Sequence, residues 1–168
     1  EIEIRNRFTP GPVPLYNVIA ELKGTDLPDE YVYVSSHLDS WHQATGTTDN
    51  GTGTTTTMEA ARILAAVGAK PRRTIRFGLW GGEEQGLVGS RHLAEGLPFE
   101  HDGIVCVLNM DMVGQGTTEV SLVGGERIPA MGERLLAALP EALRKQVDPK
   151  GALGPSGDHW PFAEKGVP

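Results

Sequence analysis

Residues 1–8 alternate apolar and charged side chains with period two, the pattern of a half-buried strand. Three prolines within residues 9–14 end it, at what reads as a sheet edge. Residues 16–22 and 31–35 are β-rich runs on either side of a Gly/Asp/Pro loop, and they predict a hairpin or two adjacent strands. From Gly51 the pattern turns helical, with Met58, Ala61, Ile63, Leu64, Ala65 and Val67 on a broad apolar face, Gly68 as the stop and Pro71 beyond it. Residues 74–80 predict another strand, 87–95 a short helix, and 104–109 a nearly continuous apolar strand of the kind buried on both faces. A strand at 120–123, helical pieces at 134–139 and 141–147 split by Pro140, and a turn of helix within 160–165 complete the pattern. Strand, helix, strand, helix, strand is the order of βαβ units, whose right-handed crossovers put helices on both faces of a parallel sheet. The expectation is an α/β fold, a three-layer α/β/α sandwich in one domain.

Composition narrows the function classes. The 22 acidic residues outnumber the 15 basic ones, and Arg72-Arg73 is the longest basic block, which excludes a nucleic-acid partner. No apolar run approaches the roughly 20 residues that span a bilayer. With one cysteine, Cys106, inside an apolar run, neither a disulfide framework nor a cysteine metal cluster is possible within the chain. The 22 glycines and 12 prolines point to a loop-rich globular domain.

In an open α/β sheet, ligands bind beyond the carboxyl ends of the strands. Three predicted strand ends carry metal-type ligands: His37 and Asp39, Glu83 and Glu84, and Asp111. His37 and Asp39, two apart, project to the same side of an extended chain, so the carboxylate can orient an imidazole whose other nitrogen binds a metal. Asp49, among the glycines of Gly46-Thr47-Thr48-Asp49-Asn50-Gly51-Thr52-Gly53, suits either a helix N-cap or an ion approached closely by backbone. Glu83 and Glu84 suit either the first turn of a helix, favoured by its dipole, or a metal site in which one carboxylate coordinates and its neighbour takes a proton. Asp111, flanked by Met110 and Met112, needs a partner for its charge.

This ordered set, His-x-Asp, Asp-Asn-Gly-x-Gly, Glu-Glu-x-Gly-Leu-x-Gly-Ser and an Asp after a buried strand, resembles the co-catalytic zinc aminopeptidases of the leucyl aminopeptidase, glutamate carboxypeptidase and glutaminyl cyclase superfamily. The resemblance implies a phosphorylase/hydrolase-like zinc peptidase fold with a mixed, mainly parallel sheet. It implies two zinc ions: His37 and Asp111 on one, Glu84 on the other, Asp49 bridging both. Glu83 becomes the general base acting on a water that bridges the metals, and Asp39 the partner of His37. The peptide bond between Asp49 and Asn50 is expected to be cis. Ser156-Gly157-Asp158-His159 resembles a pocket-lining segment of the family, with a glycine inserted, so Asp158 and His159 are expected at the substrate pocket and His159 receives no ligand role.

The resemblance also implies that residues 1–168 are an incomplete catalytic domain, truncated at both ends. The family's last ligand histidine and the helix before its first strand fall outside them, leaving the second zinc site short of a donor. The implied function is a zinc-dependent exopeptidase, an aminopeptidase acting on a peptide or aminoacyl substrate, exported to the periplasm or medium. The alternatives are a glutaminyl-cyclase-like acyl transferase, disfavoured by His37, and a metal-free interaction domain, disfavoured by the intact acidic set.

Overall fold

The computed structural model describes residues 2–96, 103–114, 119–121, 123, 128–150 and 156–167. Four strands form the main sheet: β1 (Val18–Leu22), β2 (Leu27–His37), β3 (Arg73–Trp80) and β4 (Ile104–Asn109), in the order β1-β3-β2-β4. β2 runs parallel to both β3 and β4, and β1 lies antiparallel on β3. Two short strands, β5 (Glu119–Ser121) and β6 (Asp148–Lys150), pair with each other. The helices are α1 (Thr52–Ala66), α2 (Val88–Gly96), α3 (Ile128–Ala138), α4 (Glu141–Arg144) and α5 (Trp160–Ala163). The chain crosses from β2 through α1 to β3, then back past β2 through α2 to β4. With right-handed crossovers, those opposite directions set α1 and α2 on opposite faces, giving the expected α/β/α layering.

The better-filled layer lies under α2 and α5. Tyr33, Trp80 and Phe162 meet there as a trio of tilted rings with centroids 5.9–6.0 Å apart, joined by buried Ala94, Ile104 and Val167. Tyr33 and His37 share a face of β2 by their even spacing, so the same aromatic layer leads directly to the imidazole.

Several elements differ from the sequence pattern. Residues 2–14 form no strand and stay exposed, Ile2 at 90% and Phe8 at 83%. Alternation supplies β propensity, but a strand exists only with a hydrogen-bonded neighbour, and none of the described residues pairs with this segment. β1 and β2 are neither a hairpin nor neighbours, because β3 lies between them. Residues 27–30, read as loop, extend β2. Gly24 crosses the start of β3 so closely that a Cβ there would collide with the Arg73 backbone. Helix α1 turns the small residues Gly53 and Thr57 fully inward and Ala61 partly, with Leu64 half-buried beside them, while Met58 and Ile63, and Val67 just past its end, face outward. Small side chains let a helix lie close to a sheet, and hydropathy alone does not report that advantage. Among the described residues β4 pairs with β2 alone, with Ile104 and Cys106 buried and Leu108 exposed. The strand expected at 120–123 appears as β5, with Leu122 outside the described residues.

Phe162→Ala removes one ring of the trio and is expected to destabilise the chain by about 3–5 kcal/mol. Urea denaturation measures this, and a loss below about 1 kcal/mol would place the core elsewhere.

Candidate metal centre

The parallel register brings the three predicted strand ends into line. His37 pairs with Trp80 across β2 and β3, and Ser35 pairs with Asn109 across β2 and β4. The chain beyond each end therefore emerges at one rim, where the loops of an open α/β sheet converge on a crevice.

His37 is almost wholly buried, with 1% of its side chain exposed. Its Nε2 stands 3.0 Å from Asp49 Oδ1 and 3.3 Å from Asp111 Oδ1, with hydrogen-bond geometry only toward Asp111. Its Nδ1 lies 3.1 Å from the Asp39 carbonyl oxygen and 3.6 Å from the Asp39 carboxylate. Thr54 Oγ1 donates to the His37 carbonyl at 2.8 Å, tying the strand end to α1. His37, Asp49 and Asp111 form one group able to hold a metal, and His37, Glu83 and Glu84 a second.

Among the described residues three buried carboxylate oxygens, Asp49 Oδ1, Glu84 Oε1 and Asp158 Oδ2, have no hydrogen-bond partner, and the first two belong to the groups able to hold a metal. Unpartnered buried carboxylate oxygens are costly, and a cation satisfies them. Tetrahedral zinc with bonds of about 2.0–2.1 Å spaces its ligand atoms about 3.4 Å apart, close to the separations around Nε2. The donor set, one imidazole nitrogen with carboxylate oxygens, also fits zinc.

The local folding that presents these groups resolves the alternatives left by sequence. Asp49 does not cap α1. The capping bond comes from Asn50, whose Oδ1 accepts the Gly53 N–H at 3.0 Å. Asn50 is itself buried, accepts the Met112 N–H at 3.2 Å and donates to the Met110 carbonyl at 3.0 Å. It thus grips both residues flanking Asp111. Met112 adopts a left-handed φ of 49°, which turns the chain immediately after Asp111. The Asp49–Asn50 peptide is cis. Sequence reasoning passed over Asn50 as a neighbour of Asp49, although a buried amide beside a glycine-rich turn is a reasonable candidate for such a grip.

Glu83 and Glu84 precede α2, which starts at Val88, so they lie in a loop and not in the first helical turn. Their backbone N–H groups donate to the two oxygens of Asp39, at 3.1 and 3.3 Å. Asp39 thus accepts His37 through its carbonyl and holds the glutamate pair through its carboxylate.

Asp158 is completely buried, its Oδ1 accepting from Ser90 Oγ at 2.5 Å and its Oδ2 unpartnered. His159 immediately precedes α5, has a buried, unpartnered Nε2, and belongs to neither group of potential ligands. Burial raises the pKa of Glu83, with Asp111, Glu84 and Asp39 adding and His37 opposing. Burial likewise raises Glu84, with Asp49 adding to it. It lowers the imidazole of His159 against the pull of Asp111.

The profile of Peptidase family M28 matches residues 17–168. Leupeptin-inactivating enzyme 1 of Streptomyces exfoliatus is 32% identical over 96% of this chain and 36% of its own length. Carboxypeptidase Q of Homo sapiens is 31% identical over 91% of this chain and 32% of its own. Among solved structures, a zinc aminopeptidase from Bacillus subtilis superposes with a TM-score of 0.73 at 31% identity, covering 90% of this chain and 38% of that one. An Acidobacteriales glutaminyl cyclase, 23% identical with a TM-score of 0.70, shares the fold. The chain spans about a third of the length of the curated relatives named here.

In the metal-free protein, burial pulls the His37 pKa down, but the hydrogen bond and charge of Asp111, with Glu83 and Asp158 behind it, push it up to about 9. Because the folded value lies above the unfolded 6.5, this contribution to stability is complete below pH 6.5 and is lost as pH rises through about 9. Burial raises Asp158 to about 7, so its contribution is already lost near neutrality. Metal-stripped protein is therefore expected to lose stability between about pH 7.5 and 9.5, and His37→Gln to flatten that decline. Denaturant titration across this range measures both, and an unchanged slope in the variant would show that His37 is not the group responsible.

Proposed function

The chain belongs to peptidase family M28, and from that premise we propose that it forms the catalytic core of a zinc exopeptidase, an aminopeptidase that removes N-terminal residues from peptides. One observation carries the reading: two unpartnered buried carboxylate oxygens, Asp49 Oδ1 and Glu84 Oε1, at a rim where a buried imidazole and the adjacent Glu83 converge. The zinc aminopeptidase of B. subtilis supports the metal and the amino-terminal direction. An aminopeptidase of Pseudomonas aeruginosa, 44% identical over 59% of this chain and 18% of its own length, adds to that direction.

In this reading His37, Asp49 and Asp111 would hold one zinc, and Glu84 with Asp49 would serve a second. Bound zinc supplies Lewis acidity and lowers the pKa of water. Glu83 acts as general base and then acid: its carboxylate takes a proton from the attacking water as the hydroxyl joins the scissile carbonyl carbon. It returns that proton to the departing amine as the C–N bond breaks. Burial raises the pKa of Glu83, which suits a group that must both accept and release a proton. Asp39 fixes the backbone of Glu83 and Glu84 while its carbonyl directs His37 Nδ1, leaving Nε2 for the metal. His159 would border the pocket that receives substrate, with the completely buried Asp158 behind it.

The direct test is zinc content of the purified protein together with hydrolysis of an aminoacyl-nitroanilide series, against N-blocked dipeptides and a peptide with N-terminal glutamine. Release of nitroaniline with zinc bound supports the proposal. Cleavage only of N-blocked dipeptides replaces it with a carboxypeptidase, and ring closure of the glutamine peptide with an acyl transferase. Glu83→Gln is expected to keep zinc and lose about 10²–10⁴ in kcat, whereas Glu84→Gln loses zinc. Equal metal loss in both variants, measured by elemental analysis, would remove the assignment of roles.

A further inference from the structure

The loop over residues 81–89 carries Glu83 and Glu84, and its shape is held from two sides. Its neck is closed by the Gly89 N–H donating to the Gly81 carbonyl at 2.9 Å and the Val88 N–H to the Gly82 carbonyl at 3.0 Å. Its tip is held by Asp39. A third contact comes from far away in sequence. The Asn17 side chain accepts the Gly81 N–H at Oδ1, 3.1 Å, and donates from Nδ2 to the Gly89 carbonyl, 2.9 Å. One primary amide thus bridges both ends of the loop with both of its hydrogen-bonding functions.

The topology explains why residue 17 can reach. β1 is antiparallel to β3, with Val18 opposite Leu79, so the residue before β1 stands where β3 runs out into the loop. A parallel edge strand would bring its C-terminal end there instead. The fit is tight: a Cβ on Gly89 would collide with Asn17 Oδ1, and one on Gly81 would meet the Tyr16 carbonyl at 2.6 Å. Gly82 and Leu87 adopt left-handed φ values of 71° and 60°, a conformation that Leu87 adopts only against a steric cost and that the closed neck must maintain.

We propose that Asn17 is a positioning residue for the metal centre: its amide locks the neck of the 81–89 loop and thereby sets where Glu83 and Glu84 stand relative to His37. The consequence for chemistry rests on the function proposed above, while the mechanical role does not. Asn17→Ala opens both bonds at once. Asn17→Asp keeps the acceptor for Gly81 and loses the donor to Gly89.

The test reads amide hydrogen exchange of residues 81–89 in metal-free full chain, zinc affinity by calorimetry, and kcat and KM on an aminoacyl-nitroanilide. For Asn17→Ala, faster exchange at Glu83 and Glu84, roughly 10–100-fold weaker zinc binding and a fall in kcat with little change in KM are expected, with Asn17→Asp intermediate. Val18→Ala, on the same strand but outside the bridge, is the control and leaves all three unchanged. Parental exchange and zinc affinity in Asn17→Ala overturn the proposal, as do equal losses in Val18→Ala. If Asn17→Ala does not fold, parental values in Asn17→Asp overturn it. Should the parent bind no zinc, the proposed function fails, and the exchange data still decide the role of Asn17.

Discussion

The arrangement depends on a buried imidazole faced by carboxylates. Nε2 of His37 looks onto Asp49 and Asp111 at 3.0 and 3.3 Å, with Glu83 and Glu84 in reach of the same ring. Close carboxylates raise one another's proton affinity, and burial adds to this. In the absence of a metal the ring takes up a proton to offset them, which is why its pKa rises to about 9 despite burial. A divalent cation answers the same electrostatic demand with more charge and with directional bonds. The cluster is in this sense an arrangement of negative charge built for a counterion.

The sheet keeps that charge gathered. Parallel register sets His37, Trp80 and Asn109 side by side, and the loops beyond them are too short to carry their acidic residues away. On one side the Tyr33, Trp80 and Phe162 rings fill the layer beneath the imidazole. On the other, the small-residue stripe of α1 brings Asn50 and Thr54 onto the strand ends. Family membership agrees with this architecture, because the match spans the residues from the edge strand to the α5 helix.

Much of this was legible in the chain before any coordinates. All four main strands and both crossover helices announce themselves by local pattern, and each candidate ligand follows a strand end or lies in a glycine-rich turn. What local patterns do not carry is pairing between distant segments. Nothing in residues 16–22 says that they lie on β3 and not on β2, and nothing in residues 2–8 says that no described strand takes them as a neighbour. The outward turn of Met58 and Ile63 escaped for a related reason, since close approach to a sheet favours Gly53 and Thr57 over bulk. Asn17 and Asn50 were hidden because an amide has no charge to draw notice. A polar Asn at the head of a strand is nonetheless unusual enough to merit a search for its partners.

Asn50 has a mechanical meaning beyond its hydrogen bonds. Its backbone follows Asp49 directly, and its side chain holds Met110 and Met112, the two neighbours of Asp111. Two carboxylates 62 positions apart in the chain are thereby mounted on a common bracket. Thermal motion that displaces one carries the other with it, so their separation varies less than either of their positions. Loops around the rim can shift while the spacing between these two donors stays nearly constant.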